Sequence, residues 1–577
     1  MRFLRLTASF LLLPAFLSAQ NSATAPTTNS APKTPIVETP APAPHTPTRA
    51  NILRGAYGPD RANNDLLYYH LDIRVDPVAK SIAGTNLVRL RMLQQASRIQ
   101  LDLTEALTID AITLNKLPLH YTRDSGAILI DFPTPLLAQR TYEVVVQYHG
   151  NPVAKGRFGG MSFEQDPAGR PWIFTACEDD GSSIWWPSKD QWRDEPQDGM
   201  DISVAVPNAL TDVSNGRFVS KVDLHDGYTQ WNWHVSYPIN SYDVALNIGA
   251  YEHFSDTYTS KLYLPLTLDY YALPEDLTNA KATFPQARAM LDAFEHYFGE
   301  YPFARDGYKL IQVPYAGMEH QSAVAYGNHF SNGYGRAAPD GTRDWTGVNI
   351  SPRFDFIIIH ESGHEWFGNA VSAADRSDMW IHEAWTTYLE SLFVEFQYGR
   401  ADAIRYANGR IPKVLNITPI VTERGVNLDP PGDQYDKGAL MIATLRNALA
   451  AEGLGDAAWF KLIRDFYNAF KYKNSMTEDV VAWWNTATHR NLTPYFNQYL
   501  RHTAIPCLEL NFDAATHTVL YKWQAQEPGF TMPVQAGDPA HWTTLHPTLE
   551  WQTLKTPLTP DQFKIAIDLF YINVSKT

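Results

Sequence analysis

The apolar residues of this chain change period near residue 255, and that change dictates more than one kind of domain. From Leu66 onward, short runs alternate apolar and polar residues and close in turn residues: "YYHLDIRVDP", "SIAGTNLVRLRML", "RIQLDL", "AILIDF" and "TYEVVVQYHG". The pattern continues through "DISVAVP", "GRFVSKVDLHDG", "TQWNWHVSYP" and "DVALNIGAYEHF", which predicts an antiparallel β domain over residues 53–255. Beyond it "LTNAKATFPQARAMLDAFEHYFG" has helical spacing, "YKLIQVP" is a strand, and the stretch from Arg353 to Tyr398 reads as two helices. "KGALMIATLRNALAAEG" and "TEDVVAWWNTATHR" extend a mostly helical domain over 256–503, and "CLELNF" opens a small β domain over 504–577. With 577 residues the chain is too long for one hydrophobic core, so a multidomain α+β protein is expected.

The first residues, "MRFLRLTASFLLLPAFLSAQ", carry two arginines, an apolar stretch too short to span a membrane, and small residues at Ser18-Ala19-Gln20. This is the pattern of a secretory signal peptide over 1–19, cut after Ala19. Residues 20–52, rich in Pro, Ala and Thr, hold too little apolar surface to fold and read as a disordered linker. No later segment approaches the roughly 18–20 apolar residues of a membrane span, so the expected product is soluble and exported, to the periplasm or the medium. Export permits disulfides, yet the two cysteines, Cys177 and Cys507, are far apart in sequence and nothing in it brings their Cα atoms within about 7 Å.

A formal charge of −15, with no long run of Lys or Arg, excludes the electrostatic footprint of a nucleic-acid binder. The acidic balance reads as a solvated surface.

The chemistry concentrates in "FIIIHESGHEWFGNAV", residues 356–371. On a helix, His360 and His364 lie one turn apart on the same face and can grip one ion. Glu361 points about 100° around that helix, where it can act on a water without occupying a coordination position. The alternative is a pair of ordinary core histidines, so a third ligand decides the reading. The next helix supplies Glu383 in "MWIHEAWTTYLE", nineteen residues after His364, with its neighbour His382 as the weaker competitor. A His2Glu set with one open position is the pattern of catalytic zinc. Upstream, "VPYAGMEHQSAVAYGN" sets Glu319 among small residues whose backbone lets a peptide lie close, and Glu319 could pair there with a free α-amine, although in isolation a plain surface glutamate is the better reading.

"AGMEH" at 316–320, "HESGHEW" at 360–366 and "WIHEAWTTYLE" at 380–390 together resemble the zinc aminopeptidases of the aminopeptidase N and leukotriene hydrolase family, whose signature is HExxH followed after eighteen residues by Glu. The resemblance implies a saddle-like β domain, a thermolysin-like catalytic domain and a small β domain. It also implies one zinc ion held by His360, His364 and Glu383, with Glu361 as general base. Glu319 would hold the substrate's N-terminus, beside a backbone formed by Ala316, Gly317 and Met318. "QYDKGAL" places Tyr435 where the family has the tyrosine that stabilises the tetrahedral intermediate, and "FTACEDDGSSIWWPSKDQWRDEP" matches Glu178 to a second amine-binding carboxylate and Asp190 to the Asp of a later run.

The implied protein is a monomer acting on peptides with a free N-terminus. The chain departs from the family pattern at Ala176, His320 and His382, and reverses the first two residues of the exopeptidase motif. His320 is expected to titrate near neutrality and alter the pH profile. The sequence stops without the large helical domain many members carry, which implies a more open site. A thermolysin-like endopeptidase remains an alternative, separated from the aminopeptidase by whether a blocked N-terminus prevents cleavage; an epoxide hydrolase is singled out by no residue, and a catalytically silent zinc protein is disfavoured because base, ligands and tyrosine are all present.

Overall fold

Alternation in "NDLLYYHLDIRVD" buries Leu66, Tyr69, Leu71, Ile73 and Val75 and builds β1 (Asn64–Asp76), the centre of the N-terminal sheet. The computed structural model describes residues 46–154, 158–260, 263–513 and 515–576; the expected signal peptide and all but the end of the expected linker lie outside them. β1 pairs antiparallel with β2 (Ser81–Met92), and the sheet continues through β3 (Leu107–Leu114), β4 (Leu117–Pro118), β5 (Thr141–Gly150), β6 (Met200–Pro207), β7 (Arg217–Asp223) and β8 (Tyr228–Val235), in the order β7-β8-β6-β1-β2-β5-β3-β4. Two smaller sheets complete this β-rich region.

One pairing departs from the antiparallel expectation: β1 and β6 run parallel, with Leu71 opposite Ile202. Between β5 and β6 the chain leaves this sheet, contributes strands Gly160–Gln165 and Pro171–Ala176 to another, and returns on the far side of β1. A crossover of that length is what parallel neighbours require.

The linker ends earlier than its composition indicates. Residues Arg49–Gly55 form a short helix, α1, capped by Thr48, whose Oγ1 accepts from Asn51 N at 3.2 Å. Asn51 pins it to the body of the protein, donating from Nδ2 to Asn427 O at 2.6 Å.

The second region opens with a sheet of β9 (Glu252–Tyr258), β10 (Leu266–Ala272), β11 (Tyr308–Gln312), β12 (Gly317–Met318) and β13 (Val324–Tyr326), in the order β9-β10-β11-β13-β12. β12 is therefore an edge strand. The helical stretch before β11 breaks at Pro285, which ends the helix Leu277–Thr283 and precedes α2 (Gln286–Phe298). Three more helices frame the site: α3 (Phe356–Gly363), α4 (Trp380–Tyr398) and α5 (Asp436–Ala451). α3 is buried on every side, packed against α2, α4 and β13. Two small sheets between Cys507 and Lys576 follow.

The architecture is multidomain α+β, sheet-rich first, helical in the middle and sheet-rich again at the end. Both cysteines are unpaired: Cys177 is buried and Cys507 partly so.

Candidate metal centre

α3 begins at Asp355, whose Oδ1 accepts the amide of Ile357 at 3.1 Å while its other oxygen accepts the Tyr326 hydroxyl at 2.6 Å. That cap ties the start of α3 to β13 and fixes the rotation of the helix. His360 and His364 then face Glu383 of α4: the two Nε2 atoms are 3.4 Å apart, and Glu383 Oε2 is 3.6 Å from His360 Nε2 and 3.4 Å from His364 Nε2.

Each histidine's other nitrogen is committed. His360 Nδ1 donates to Glu390 Oε1 at 2.8 Å, and His364 Nδ1 donates to the Phe367 carbonyl at 3.0 Å. Both Nε2 atoms are thereby left as lone-pair donors. The Phe367 carbonyl is turned back toward His364 because α3 runs into a single π-helical turn, Glu365–Asn369, in which Phe367 takes the non-helical angles φ −128°, ψ 106°. Thr386 of α4 donates to the same carbonyl at 2.9 Å and locks the turn to the ligand helix.

Three lone-pair donors thus converge, and Glu383 Oε2 is buried without a hydrogen-bond partner. The set fits zinc. Bonds of about 2.1 Å in tetrahedral array put ligand atoms about 3.4 Å apart, which matches this triangle.

Glu361 lies next to the triangle under β12. A Cβ on Gly317 would sit 2.7 Å from Glu361 Oε1 and 2.8 Å from Ile357 Cγ2, so glycine is required for the edge strand to pass over the carboxylate. Burial pushes the Glu361 carboxyl up to about 7, against the pull of His360 and His364. Ala316 O accepts Gly327 N at 2.8 Å and Met318 is buried, so the 316–318 backbone is held on its β13 side, and its other side is the edge of the sheet.

Glu319 follows directly. One of its carboxylate oxygens falls with the ligand atoms of His364 and Glu383 in a cluster whose members lie within 4.8 Å of one another. Tyr242 donates to Glu319 Oε1 at 3.0 Å, and Asn369 of the π turn donates to the Glu319 carbonyl at 2.7 Å. Glu178 is buried on the same cluster: burial raises its carboxyl well above the usual range, and Glu319 and Glu383 raise it further. Burial raises Glu319 as well. Arg376 holds the Glu178 carbonyl and pairs with Asp429. Buried carboxylates crowded this way call for cations.

Tyr435 precedes α5, half-buried, with its ring centroid 6.1 Å from that of His360. Burial and then the site's carboxylates raise its hydroxyl well above 10, so it stays protonated and able to donate. The glycine that follows in "YDKG" has a local reason: a Cβ on Gly438 would lie 2.5 Å from Ala384 Cβ, so its absence lets α5 touch α4 beside Glu383. Lys437 donates to the carbonyls of His502 and Thr503, both at 2.9 Å.

His382 is not a ligand. Its Nε2 accepts Ala373 N at 2.7 Å, its ring stacks on Trp192 at 5.3 Å, and burial lowers it to about 3. His320 corrects the sequence reading: fully buried with neither ring nitrogen hydrogen-bonded, it is lowered to about 3 by burial and stays neutral across the physiological range. Asp190 caps the turn after Gly181, accepting from Ser182 N at 3.2 Å and Ser183 Oγ at 2.6 Å.

The sequence does not single out the residues that support the site. Glu390 is legible as the i+7 partner of Glu383 on one helix face, whereas Tyr242, Trp192, Arg376 and Arg410, which pairs with Glu390, carry no local signal.

Comparisons with known proteins give the family and the fold. Residues 66–242 match the description "Peptidase M1 N-terminal domain" and residues 283–499 match "Peptidase family M1 domain". Endoplasmic reticulum aminopeptidase 1 of Homo sapiens is 24% identical over 442 residues, which is 72% of this chain and 44% of that protein. Aminopeptidase B of Mus musculus is 24% identical over 468 residues, 73% of this chain and 65% of the other. The chain therefore spans less than half the length of the endoplasmic reticulum relatives it matches. An M1 zinc metallopeptidase from Deinococcus radiodurans shares the fold with a TM-score of 0.62 at 20% identity, covering 77% of this chain and 94% of that one. A mutant of it bound to a Tyr-Ser-Ala substrate gives a TM-score of 0.61 at 19% identity, covering 77% and 95%.

Proposed function

The chain belongs to peptidase family M1, and from that premise we propose that it is a zinc-dependent aminopeptidase removing single residues from the free N-terminus of peptides. The observation that carries the exopeptidase reading is the place of Glu319, whose carboxylate clusters with ligand atoms of His364 and Glu383 within 4.8 Å. An α-ammonium held there brings the first peptide bond, and no later one, to the zinc ligands. Glu178 adds a second buried carboxylate on the same cation.

His360, His364 and Glu383 would hold the ion. Bound there, zinc would polarise the scissile carbonyl and acidify water. Glu361, buried beside the histidine pair, takes the proton of the attacking water and returns it to the leaving amine. Tyr435 donates a hydrogen bond to the oxyanion that develops. The free edge of β12 at Ala316, Gly317 and Met318 aligns the peptide backbone by strand addition.

The reading extends to the whole chain. The signal pattern over 1–19 supports export to the periplasm or medium with a mature chain beginning at Gln20, and no described helix is long and apolar enough to cross a membrane. N-terminal sequencing of the protein recovered outside the cytoplasm checks this. The sheet-rich, helical and final sheet-rich regions are taken as three domains, with the first boundary moved from 255 to just before Glu252, because β9 pairs with β10 in the second region's sheet.

Hydrolysis of aminoacyl fluorogenic amides, each beside an N-acetylated twin, before and after zinc chelation, tests the function. Cleavage of the free-amine set alone, lost on chelation and restored by zinc, is expected. Equal cleavage of both sets would replace the aminopeptidase with an endopeptidase.

A further inference from the structure

A cavity of about 690 Å3 opens between the β7–β8 hairpin and the β9–β11 face of the second sheet, and no residue of the zinc site lines it. Its size is that of a small-molecule pocket. One wall is aromatic: Phe218 packs edge-on against Trp233 at 5.3 Å and lies 5.9 Å from Trp231. On the other wall His253 stacks on Tyr271 at 4.7 Å.

The charges lining this cavity run against those of the chain as a whole. Arg217, Lys221, Arg305 and Lys309 face Asp269 and Asp306, a local excess of cations in a protein of net charge −15. Both carboxylates are already engaged, Asp269 by His253 at 2.8 Å and Asp306 by the Ser236 amide at 2.9 Å. Among the described residues the guanidinium groups of Arg217 and Arg305 donate only to Ser236, at its Oγ and carbonyl, and that of Arg305 also lies 4.2 Å over the Tyr237 ring. Among the described residues none of the four cations forms an ion pair.

Lys309 is the decisive group. It is 2% exposed, and its ammonium, with three protons to donate, makes one hydrogen bond, to the Gly216 carbonyl. Its Nζ lies 5.4 Å from the centroid of the Trp233 ring. Burial lowers it to about 8, against the opposing charges of Asp306, Asp269 and Glu365, none of which it contacts as an ion pair among the described residues, so it remains charged at neutral pH. Trp231 Nε1 is likewise buried without a partner. A buried cation and a buried indole N–H, both short of acceptors and both lining a cavity, are costly unless an anion completes them.

We propose that this cavity is a second ligand site, separate from the zinc centre, that takes a small aromatic carboxylate: the ring lies against Trp231 and Trp233 and the carboxylate accepts from Lys309. A free aromatic acid and the C-terminal residue of a peptide both present that chemistry.

Calorimetric titration of the zinc-loaded full chain with N-acetyl-L-tryptophan tests it, because the blocked amine denies this probe to Glu319 and Glu178. One molecule is expected to bind per chain. N-acetyl-L-tryptophanamide, which lacks the carboxylate, is expected to bind about tenfold or more weakly, as are Lys309→Met and Trp231→Ala toward the acid. Because Lys309 is buried, the exposed pair Arg217→Ala and Lys221→Ala serves as a control that leaves the fold intact and still weakens binding of the acid. An N-acetylated tripeptide ending in tryptophan with a free carboxylate separates the two sources: comparable binding assigns the site to peptide C-termini, and about tenfold weaker binding assigns it to free acids. Absence of binding by the acid, equal binding of acid and amide, or undiminished binding to Trp231→Ala would overturn the proposal.

Discussion

His360 Nδ1 donates to Glu390 Oε1 at 2.8 Å, and the second oxygen of Glu390 accepts from Tyr406 and Arg410, so the orientation of a zinc ligand is set by a fully buried ion network. Arg410 continues to Asp436 at 2.6 Å, the residue after Tyr435, and one chain of contacts thereby positions both a ligand and the expected oxyanion donor. Glu390→Gln is expected to weaken zinc binding by about 10- to 100-fold, the usual cost of losing such a support. Competition with a chromogenic chelator measures it. An unchanged zinc affinity would mean that packing alone orients His360.

Tyr435→Phe removes one hydroxyl beside His360 and leaves the ring in place. Turnover of free-amine substrates is expected to fall by about 10² to 10³, with zinc content unaltered. Near-normal kcat in the zinc-loaded variant would take Tyr435 out of the reaction.

What the sequence disclosed depended on how local each cause is. His360, Glu361 and His364 are placed by helical spacing alone, and Glu383 by the next helix, so those four were legible without coordinates. The parallel β1–β6 pair was not, because alternation fixes which face of a strand is buried and says nothing about its neighbour. Nor was His320: its residue type signals a titrating group, while its complete burial, a tertiary effect, removes that behaviour. Trp192, which bridges Tyr242 and His382 by stacking at 4.9 Å and 5.3 Å, looks in sequence like any other core tryptophan.

That stack makes Tyr242 a positioning residue for Glu319, which it reaches at 3.0 Å. A hydrogen bond to a charged group contributes about 1.5–3 kcal/mol, which corresponds to a loss of about 10- to 100-fold in kcat/KM for Tyr242→Phe, carried mainly by KM. A variant with unchanged KM for free-amine substrates would show that Glu319 holds its place without the tyrosine.

Asp212, whose partners are Ser214 and Trp233 and none of the zinc ligands, supplies a pH test. It is fully buried, its Oδ2 accepts from Trp233 Nε1 at 3.0 Å and Ser214 Oγ at 3.1 Å, and its Oδ1 has no partner. Burial pushes its carboxyl up to about 8, so the folded protein keeps this proton through neutrality while the unfolded chain releases it near pH 3.9. Between those values the native state binds more protons than the unfolded state. The contribution of Asp212 to stability is therefore complete below about pH 4, is lost progressively as pH rises toward 8, and is constant above. Asp212→Asn, which mimics the protonated acid, is expected to gain stability relative to the parent across that window, by at most about 1.4 kcal/mol per pH unit. Denaturant unfolding of both proteins at about pH 5, 7 and 9 measures the difference. A gap that does not change with pH would mean that Asp212 is ionised in the fold and that its unpartnered oxygen finds a donor.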